Sequence, residues 1–134
     1  MKRLFLSMLV ALMVLASWAV NNDQYTIIVS LDGFRWDYCE AYNTPFLNSM
    51  AEKGVKAVMS PSFPSKTFPN HYTLATGLVP DHHGIIANSF RIRATGKKYS
   101  LGNAETRSDI RNYGGDPIWL TAKRQGMTTA TVYW

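Results

Sequence analysis

Residues 25–31 constrain the fold of this chain more than any other segment. Their sequence, Tyr-Thr-Ile-Ile-Val-Ser-Leu, is rich in β-branched side chains and apolar at nearly every position. A short run of this kind favours a strand that is covered on both faces, as in a parallel sheet. Residues 55–59 and 128–133 are predicted to form two further strands.

Helix signals alternate with these strands. The predicted helices cover residues 44–54, 68–77 and 116–126, and each has a proline near its start and a glycine at its end. This alternation predicts an α/β fold with a mostly parallel sheet flanked by helices, and it places the strand ends and the site along one edge. Residues 80–84 are predicted to form a turn, and the polar residues 88–111 a long surface loop.

The composition is that of one globular domain. The 134 residues are 46% hydrophobic and 17% charged, which argues against disorder. The net charge is +5, and no basic stripe with interleaved aromatic residues is present, so nucleic-acid recognition is not expected. A loose basic cluster is interpreted as a solvated loop: Arg91, Arg93, Lys97 and Lys98.

Residues 1–19 are interpreted as a secretory signal peptide. A basic start precedes an apolar run over residues 4–15, and Ser17 and Ala19 supply the small side chains of a cleavage site. The alternative, a membrane anchor, is disfavoured because a span needs about 20 apolar residues. The mature chain is therefore expected to be periplasmic or extracellular and to have no stable membrane span. Its single cysteine, Cys39, is expected to be a buried thiol or the partner of a group outside the chain.

Asp32 and Thr67 are the first candidate site residues. Asp32 with Gly33 is a turn signal, but it also follows a predicted buried strand, where open α/β sheets bind ligands. Its carboxylate suits Zn²⁺, Mg²⁺ or Mn²⁺. Thr67 precedes a predicted helix and is either an N-cap or a nucleophile at a phosphate site, two roles that are compatible. A metal bridging Asp32 and Thr67 would be the simplest activator of this hydroxyl.

Three more residue types are candidates near that helix. The amide NH₂ of Asn88 could donate to a phosphate oxygen, or Asn88 could simply occupy a loop turn. Lys66 could contact phosphate or remain solvated. Four aromatic residues flank the region: Phe34, Trp36, Phe63 and Phe68. Most of them are expected to lie in the core. One or two could stack on a base or acyl group of the substrate, and Phe68 is the candidate for this contact.

The three histidines are interpreted as structural residues. His71 lies one helical turn after Thr67 and is expected to pack or hydrogen-bond locally. His82 and His83 are adjacent in a predicted turn, and adjacent residues rarely bind one ion.

Several motifs, in this order, resemble the nucleotide pyrophosphatase/phosphodiesterase family of the alkaline phosphatase superfamily. They are Ile-Val-Ser-Leu-Asp-Gly-Phe-Arg at 28–35, Pro-Ser-Phe-Pro-Ser-Lys-Thr-Phe-Pro-Asn-His at 61–71, Thr-Gly-Leu at 76–78 with His-Gly-Ile at 83–85, and Pro-Ile-Trp-Leu-Thr-Ala at 117–122. The resemblance implies an alkaline phosphatase-like fold and hydrolysis of phosphodiester or pyrophosphate bonds in small nucleotide-type substrates.

The resemblance also implies roles for three residues. Asp32 would be a ligand of one zinc ion in a two-zinc site, and Thr67 would be both the nucleophile and a ligand of that same zinc. Asn88 matches the phosphate-contacting asparagine of the family. Thr67 would attack phosphorus in line, and water activated at the other zinc would hydrolyse the resulting phospho-threonine.

The remaining zinc ligands of the family are aspartates and histidines further along the chain than this sequence extends. Residues 20–134 are therefore expected to be the N-terminal portion of a catalytic domain and to be inactive alone. The alternative is a secreted remnant that binds phosphate or nucleotide without turnover. A phosphomonoesterase stays open, whereas a sulfatase is disfavoured because Cys39 is not followed by the Pro and Arg of its nucleophile motif.

Overall fold

The computed structural model describes residues 25–132, so the predicted signal peptide, residues 1–19, lies outside the described residues. Six α-helices occur in the described part: α1 Tyr38–Ala41, α2 Pro45–Lys53, α3 Thr67–Thr76, α4 Pro80–His83, α5 Ala104–Arg107 and α6 Ile118–Arg124. Two strands and one 3-10 helix complete it: β1 Ser89–Arg91, β2 Lys98–Ser100 and the 3-10 helix Ile110–Asn112. Within residues 25–132, no helix is long and apolar enough to cross a membrane.

The three predicted helices are confirmed as α2, α3 and α6, because their start and stop signals act locally. Pro45 occupies the first turn of α2, where its missing N–H costs nothing. Helix α3 ends at Gly77, whose φ of 71° is the left-handed conformation that glycine adopts without strain. The predicted turn at residues 80–84 contains the single helical turn α4.

The prediction of a long surface loop over residues 88–111 is wrong. Strands β1 and β2 form an antiparallel hairpin in this segment, in which Phe90 lies opposite Tyr99. The two rings are stacked with centroids 4.8 Å apart, and Tyr99 is fully buried. Only two large apolar side chains are needed to hold the hairpin, and a sequence that is polar around them gives little sign of it.

The three predicted strands are not formed within the described residues. Residues 25–31, 55–59 and 128–132 have no strand assignment, and residue 133 lies outside the described part. The sheet of residues 25–132 is the antiparallel hairpin, so a parallel sheet is unconfirmed. A strand exists only where a neighbour completes its hydrogen bonds, and these segments instead expose Ile27 by 85% and Val55 by 94%.

The packed core lies where the hairpin meets α3 and α4. An aromatic cluster, comprising Tyr72, His83, Phe90, Tyr99 and Tyr113, forms most of it. The rings of Tyr72 and Tyr113 meet edge to face at 5.2 Å, and the hydroxyls of Tyr99 and Tyr113 are 2.9 Å apart. Edge-to-face and stacked rings add to the stabilisation from buried area. Tyr113 contacts both Tyr99 of β2 and Tyr72 of α3, so the cluster links the hairpin to α3.

His83 is fully buried in this cluster as a neutral imidazole. The backbone N–H of Ile85 donates to its Nδ1 at 3.2 Å, so Nδ1 is an acceptor. The proton therefore sits on Nε2, which donates to the Thr73 hydroxyl at 3.0 Å. Burial, which disfavours the charged form, lowers the pKa of His83 below its usual value. The structural interpretation of His83 agrees with this geometry.

The buried imidazole predicts that acid destabilises the protein. Because the pKa of His83 is lower in the folded than in the unfolded state, its contribution is fully present above about pH 6.5 and is lost as the pH falls towards the folded value. We expect the urea midpoint to fall between pH 7 and pH 5. The exposed neighbour His82 provides the control: His82→Gln should keep this pH dependence, and His83→Gln should weaken it. An equal dependence in both variants would contradict the prediction.

Candidate active site

The predicted site residues border one large cleft. It has a volume of about 1940 Å³, and residues from all three apolar segments, 25–31, 55–59 and 128–132, line it. Four candidate site residues share its wall: Asp32, Lys66, Thr67 and Asn88. The structure therefore brings together residues that are up to 56 positions apart in the sequence.

Asp32 and Thr67 meet in this cleft. Asp32 lies in a turn with Gly33, whose φ of 66° favours a residue without a Cβ atom. The Thr67 hydroxyl donates to Oδ2 of Asp32 at 3.3 Å, a long hydrogen bond between residues 35 positions apart. Because Asp32 is exposed and Thr67 is half-buried, the hydroxyl lies at the boundary between solvent and packed protein.

Thr67 is the first residue of α3 rather than its N-cap. The N-cap is Lys66, whose extended backbone leads into the helix and whose side chain makes no capping hydrogen bond. The N-cap alternative for Thr67 is therefore wrong, because the helix begins at Thr67 itself, one residue earlier than that role requires. At the first helical position the Thr67 hydroxyl lies at the positive end of the helix dipole, which favours an anion.

Asn88 caps the same helix end from a distant part of the chain. Its Oδ1 accepts a hydrogen bond from the backbone N–H of Phe68 at 3.0 Å. This contact fixes the amide, because the oxygen must face the N–H donor and the NH₂ group must then point elsewhere. The amide NH₂ is thus available as a hydrogen-bond donor close to Thr67.

The hairpin holds Asn88 in place. Asn88 directly precedes β1, and its backbone carbonyl accepts a hydrogen bond from the N–H of Leu101, just after β2, at 2.9 Å. Asn88 is therefore held by its covalent link to β1 and by a hydrogen bond to the residue that follows β2. Buried Tyr99 anchors the hairpin, and the hairpin in turn holds Asn88 at the candidate site. The aromatic cluster is therefore linked to the site through the hairpin.

The remaining candidate contact residues differ in their exposure and in whether they line the cleft. Lys66 is exposed and lines the cleft, whereas Phe68 is half-buried and does not line it. The expectation that the flanking aromatics lie mostly in the core is wrong: Phe63 is 92% exposed and Trp36 is 62% exposed. These side chains belong to irregular segments with few neighbours to cover them. Cys39, predicted to be a buried thiol or the partner of a group outside the chain, is half-buried in α1 and is a free cysteine.

Of the three histidines, His71 lines the cleft, whereas His82 and His83 lie away from it. Nδ1 of His71 lies 2.9 Å from the carbonyl oxygen of Thr67, the local hydrogen bond that the sequence predicts. His82 is exposed on α4, and His83 is enclosed by the aromatic cluster. Across residues 25–132, no group of three or more His, Cys, Asp or Glu side chains is arranged to hold a metal ion.

Asp32 and Thr67 fit two positions of a zinc coordination shell. Tetrahedral zinc with oxygen ligands at about 2.0–2.2 Å keeps neighbouring ligand atoms about 3.3–3.6 Å apart. The observed separation of 3.3 Å between the Thr67 hydroxyl and the Asp32 carboxylate meets this requirement. Of the two donors, the Asp32 carboxylate is a usual zinc ligand, whereas the Thr67 hydroxyl would have to release the proton that it donates to Asp32.

Sequence reasoning assigned no role to Asn70, although its side chain makes the densest set of hydrogen bonds beside the site. Its amide contacts the backbone of the loop that leads into α3. An asparagine near a helix start that follows two prolines was an available signal, since Asn side chains often bond nearby backbone groups.

Known proteins similar to this chain carry related names. An uncharacterized pyrophosphatase/phosphodiesterase of Schizosaccharomyces pombe is 46% identical over 110 residues, or 81% of this chain. Ectonucleotide pyrophosphatase/phosphodiesterase family member 1 of Homo sapiens is 39% identical over 112 residues, and venom phosphodiesterase 2 of Crotalus adamanteus is 41% identical over 111. The chain spans only 23%, 12% and 14% of the respective lengths of these relatives.

The family comparison covers more of the chain than any single motif. The family described as type I phosphodiesterase/nucleotide pyrophosphatase matches residues 26–134, a range that includes the cleft and every candidate site residue. The resemblance seen in the sequence motifs is thereby confirmed. This chain belongs to the type I phosphodiesterase/nucleotide pyrophosphatase family.

Proposed function

We propose that this chain carries the nucleophile-bearing part of an enzyme that hydrolyses phosphodiester or pyrophosphate bonds in nucleotide-type substrates. The observation that carries the proposal is the contact between the Thr67 hydroxyl and the Asp32 carboxylate at the N-terminus of α3. It combines a potential nucleophile, a hydrogen-bond acceptor and a helix end that favours phosphate.

Thr67 passes its hydroxyl proton to Asp32 Oδ2 and attacks phosphorus. The bond from phosphorus to the alcohol or phosphate on the opposite side breaks, and that group leaves with a proton from water. The Thr67 proton points towards Asp32 Oδ2, so the hydroxyl oxygen presents a lone pair to the cleft. A phospho-threonine forms, and water then hydrolyses it to regenerate the hydroxyl. Splitting one displacement into two steps in this way is the general advantage of a covalent intermediate.

Asn88 and Lys66 act on the charge of the phosphoryl group. The amide NH₂ of Asn88, oriented by the Phe68 N–H, donates to a non-bridging oxygen as negative charge builds up. Lys66, at the mouth of the same cleft, supplies a positive charge to the incoming phosphate. Phe68 is proposed as a further substrate contact through a base or acyl group.

Asp32 and Thr67 are proposed to hold one zinc ion together, and further ligands would come from outside residues 25–132. When bound, zinc would lower the pKa of an oxygen ligand and offset negative charge. A complete site would hold two such ions, as the family resemblance implies.

The wider context of the site is also proposed. The three apolar segments that line the cleft are proposed to become strands of a mostly parallel, alkaline phosphatase-like sheet when the rest of the domain completes their hydrogen bonds. Export through the predicted signal peptide, residues 1–19, would place the protein in the periplasm or outside the cell.

The experiment that tests the function follows the hydrolysis of p-nitrophenyl thymidine monophosphate with zinc added or removed by a chelator. It uses a protein that carries residues 20–134 together with the further zinc ligands, since these residues alone are expected to be inactive. We expect turnover that requires zinc and returns when zinc is restored. Binding of thymidine monophosphate without turnover, with zinc present, would instead favour the alternative of a remnant that only binds nucleotide. Turnover that is unaffected by the chelator would contradict the assigned zinc site.

A further inference from the structure

The side chain of Asn70, in the first turns of α3, closes the loop that precedes the candidate nucleophile. Its Oδ1 accepts a hydrogen bond from the Ser62 N–H at 2.7 Å. Its Nδ2 lies 3.0 Å from the carbonyl oxygens of both Pro64 and Lys66, and 3.3 Å from that of Ser62. One amide therefore contacts three residues of a five-residue loop.

The orientation of this amide is unambiguous. The Ser62 N–H can only donate, so the atom facing it must be the amide oxygen. The three carbonyl oxygens can only accept, so the atom facing them must be the nitrogen. Every polar atom of the Asn70 side chain is therefore used in holding the backbone of residues 62–66.

These contacts end directly before Thr67. Lys66, the N-cap of α3, is held twice, because its carbonyl oxygen accepts from both the Asn70 side chain and the Asn70 backbone N–H, the latter at 3.2 Å. Its own N–H donates to the Pro64 carbonyl at 2.8 Å. The backbone position of Lys66 determines where the Thr67 hydroxyl meets Asp32.

The Thr67 contact is sensitive to such positioning. Its hydrogen bond to Asp32 is 3.3 Å long, and Asp32 belongs to a segment that contributes no helix or strand to hold it. The precision of the pair must therefore come from the α3 side, where half-buried Asn70 fixes the loop.

We propose that Asn70 is a positioning residue for Thr67: its amide fixes residues 62–66 so that the nucleophile is held in line with the phosphoryl group. The proposal rests on the proposed function. It concerns the geometry of attack and not substrate affinity, because the proposed phosphate contact Asn88 is oriented by the Phe68 N–H and not by the Asn70 side chain.

The test measures kcat and KM for p-nitrophenyl thymidine monophosphate, with zinc, in the unaltered protein and in Asn70→Ala and Asn70→Asp. We expect kcat to fall about 10²-fold in both variants, because a nucleophile displaced by about 1 Å costs about that much. KM should change less than about threefold. Asn70→Asp keeps the shape and the acceptor for Ser62 but loses every donor to the loop carbonyls, so it separates positioning from packing.

Asn112→Ala is the matched structural control. The Asn112 amide also donates to a backbone carbonyl, that of Thr106 at 2.8 Å, but in a segment that is not connected to the α3 entrance. Its loss should lower the urea midpoint without lowering kcat. Asn70→Ser provides a milder variant, since its hydroxyl can still reach the Lys66 carbonyl one turn earlier, and an intermediate kcat is expected.

The outcomes distinguish this inference from the function on which it rests. Absence of zinc-dependent turnover in the unaltered protein would overturn the proposed function and the role of Asn70 with it. Full dependence on Thr67 combined with a kcat loss in Asn70→Ala no greater than in Asn112→Ala would overturn the role of Asn70 alone. A rise in KM with unchanged kcat would also overturn it, because it would show that Asn70 serves binding.

Discussion

Replacing Thr67 with alanine is expected to lower kcat for p-nitrophenyl thymidine monophosphate by about 10³-fold or more, since removal of a nucleophile leaves only binding and electrostatic assistance. Thr67 carries the hydroxyl that contacts Asp32 at the N-terminus of α3, and alanine supplies no oxygen there. Thr67→Ser keeps the oxygen and loses only a methyl group, so it should retain measurable turnover. The measurement is steady-state kinetics with zinc present.

The control for Thr67 is a threonine in the same cleft. Thr121 lines the cleft from α6 and is exposed, and its replacement by alanine removes the same atoms from a different wall. Thr121→Ala should keep kcat within about twofold of the unaltered protein. Comparable activity in Thr67→Ala and Thr121→Ala would show that Thr67 is not the nucleophile.

Replacing Tyr99 with alanine is expected to lower the free energy of unfolding by about 3–5 kcal/mol, the usual cost of removing a large buried aromatic ring. Tyr99 has no exposed surface, stacks on Phe90 and meets Tyr113 edge to face. Small domains have a total stability of only about 5–15 kcal/mol, so the change takes up much of it. Urea unfolding followed by circular dichroism gives the value.

Tyr99→Phe separates the ring from its hydroxyl. The phenol is neutral because burial raises its pKa, and it loses only the 2.9 Å hydrogen bond to Tyr113 when replaced. Tyr113 keeps its other bond, from its hydroxyl to the Arg107 carbonyl at 2.8 Å, so the expected loss is about 1 kcal/mol. Equal destabilisation by Phe and Ala would show that the hydroxyl, and not ring packing, holds the cluster.

The Tyr99 prediction also bears on the site. The hairpin that Tyr99 anchors grips Asn88 at its base, and Asn88 caps α3 beside Thr67. We therefore expect Tyr99→Ala to loosen Asn88 even at temperatures where the protein remains folded. The hairpin, which lies in the segment that was predicted to be a loop, therefore supports the candidate active site.

The accuracy of sequence reasoning varied with the range of the interactions involved. Helices α2 and α3 were predictable because Pro45 and Gly77 act on the backbone within one turn of themselves. The hairpin was missed because its stability depends on one pair, Phe90 with Tyr99, and on the ring of Tyr113, which meets Tyr99 from a later segment. Nothing in the ten residues around either ring reveals those distant partners.

For the predicted strands the error is reversed, because the sequence predicts strands that are not formed within residues 25–132. Residues 25–31 have the composition of a buried strand, yet composition describes only a preference, and a strand needs at least one hydrogen-bonded neighbour. Within residues 25–132 that neighbour is not supplied, and the apolar side chains line the cleft instead. Such an apolar, β-branched run therefore indicates a segment that needs a neighbouring strand, and it does not show that the strand forms.

The sequence by itself determined the family, the approximate positions of α2, α3 and α6 and a set of candidate site residues, because motifs, caps and glycine turns act over a few positions. Only the tertiary structure decided that Asn88 caps the helix of Thr67, that Asn70 closes the loop before it and that buried Tyr99 anchors the hairpin next to Asn88. Each of these contacts is made by one side chain with the backbone or a ring of a separate segment. Their formation depends on how the chain packs, and packing distances are not encoded in any local pattern.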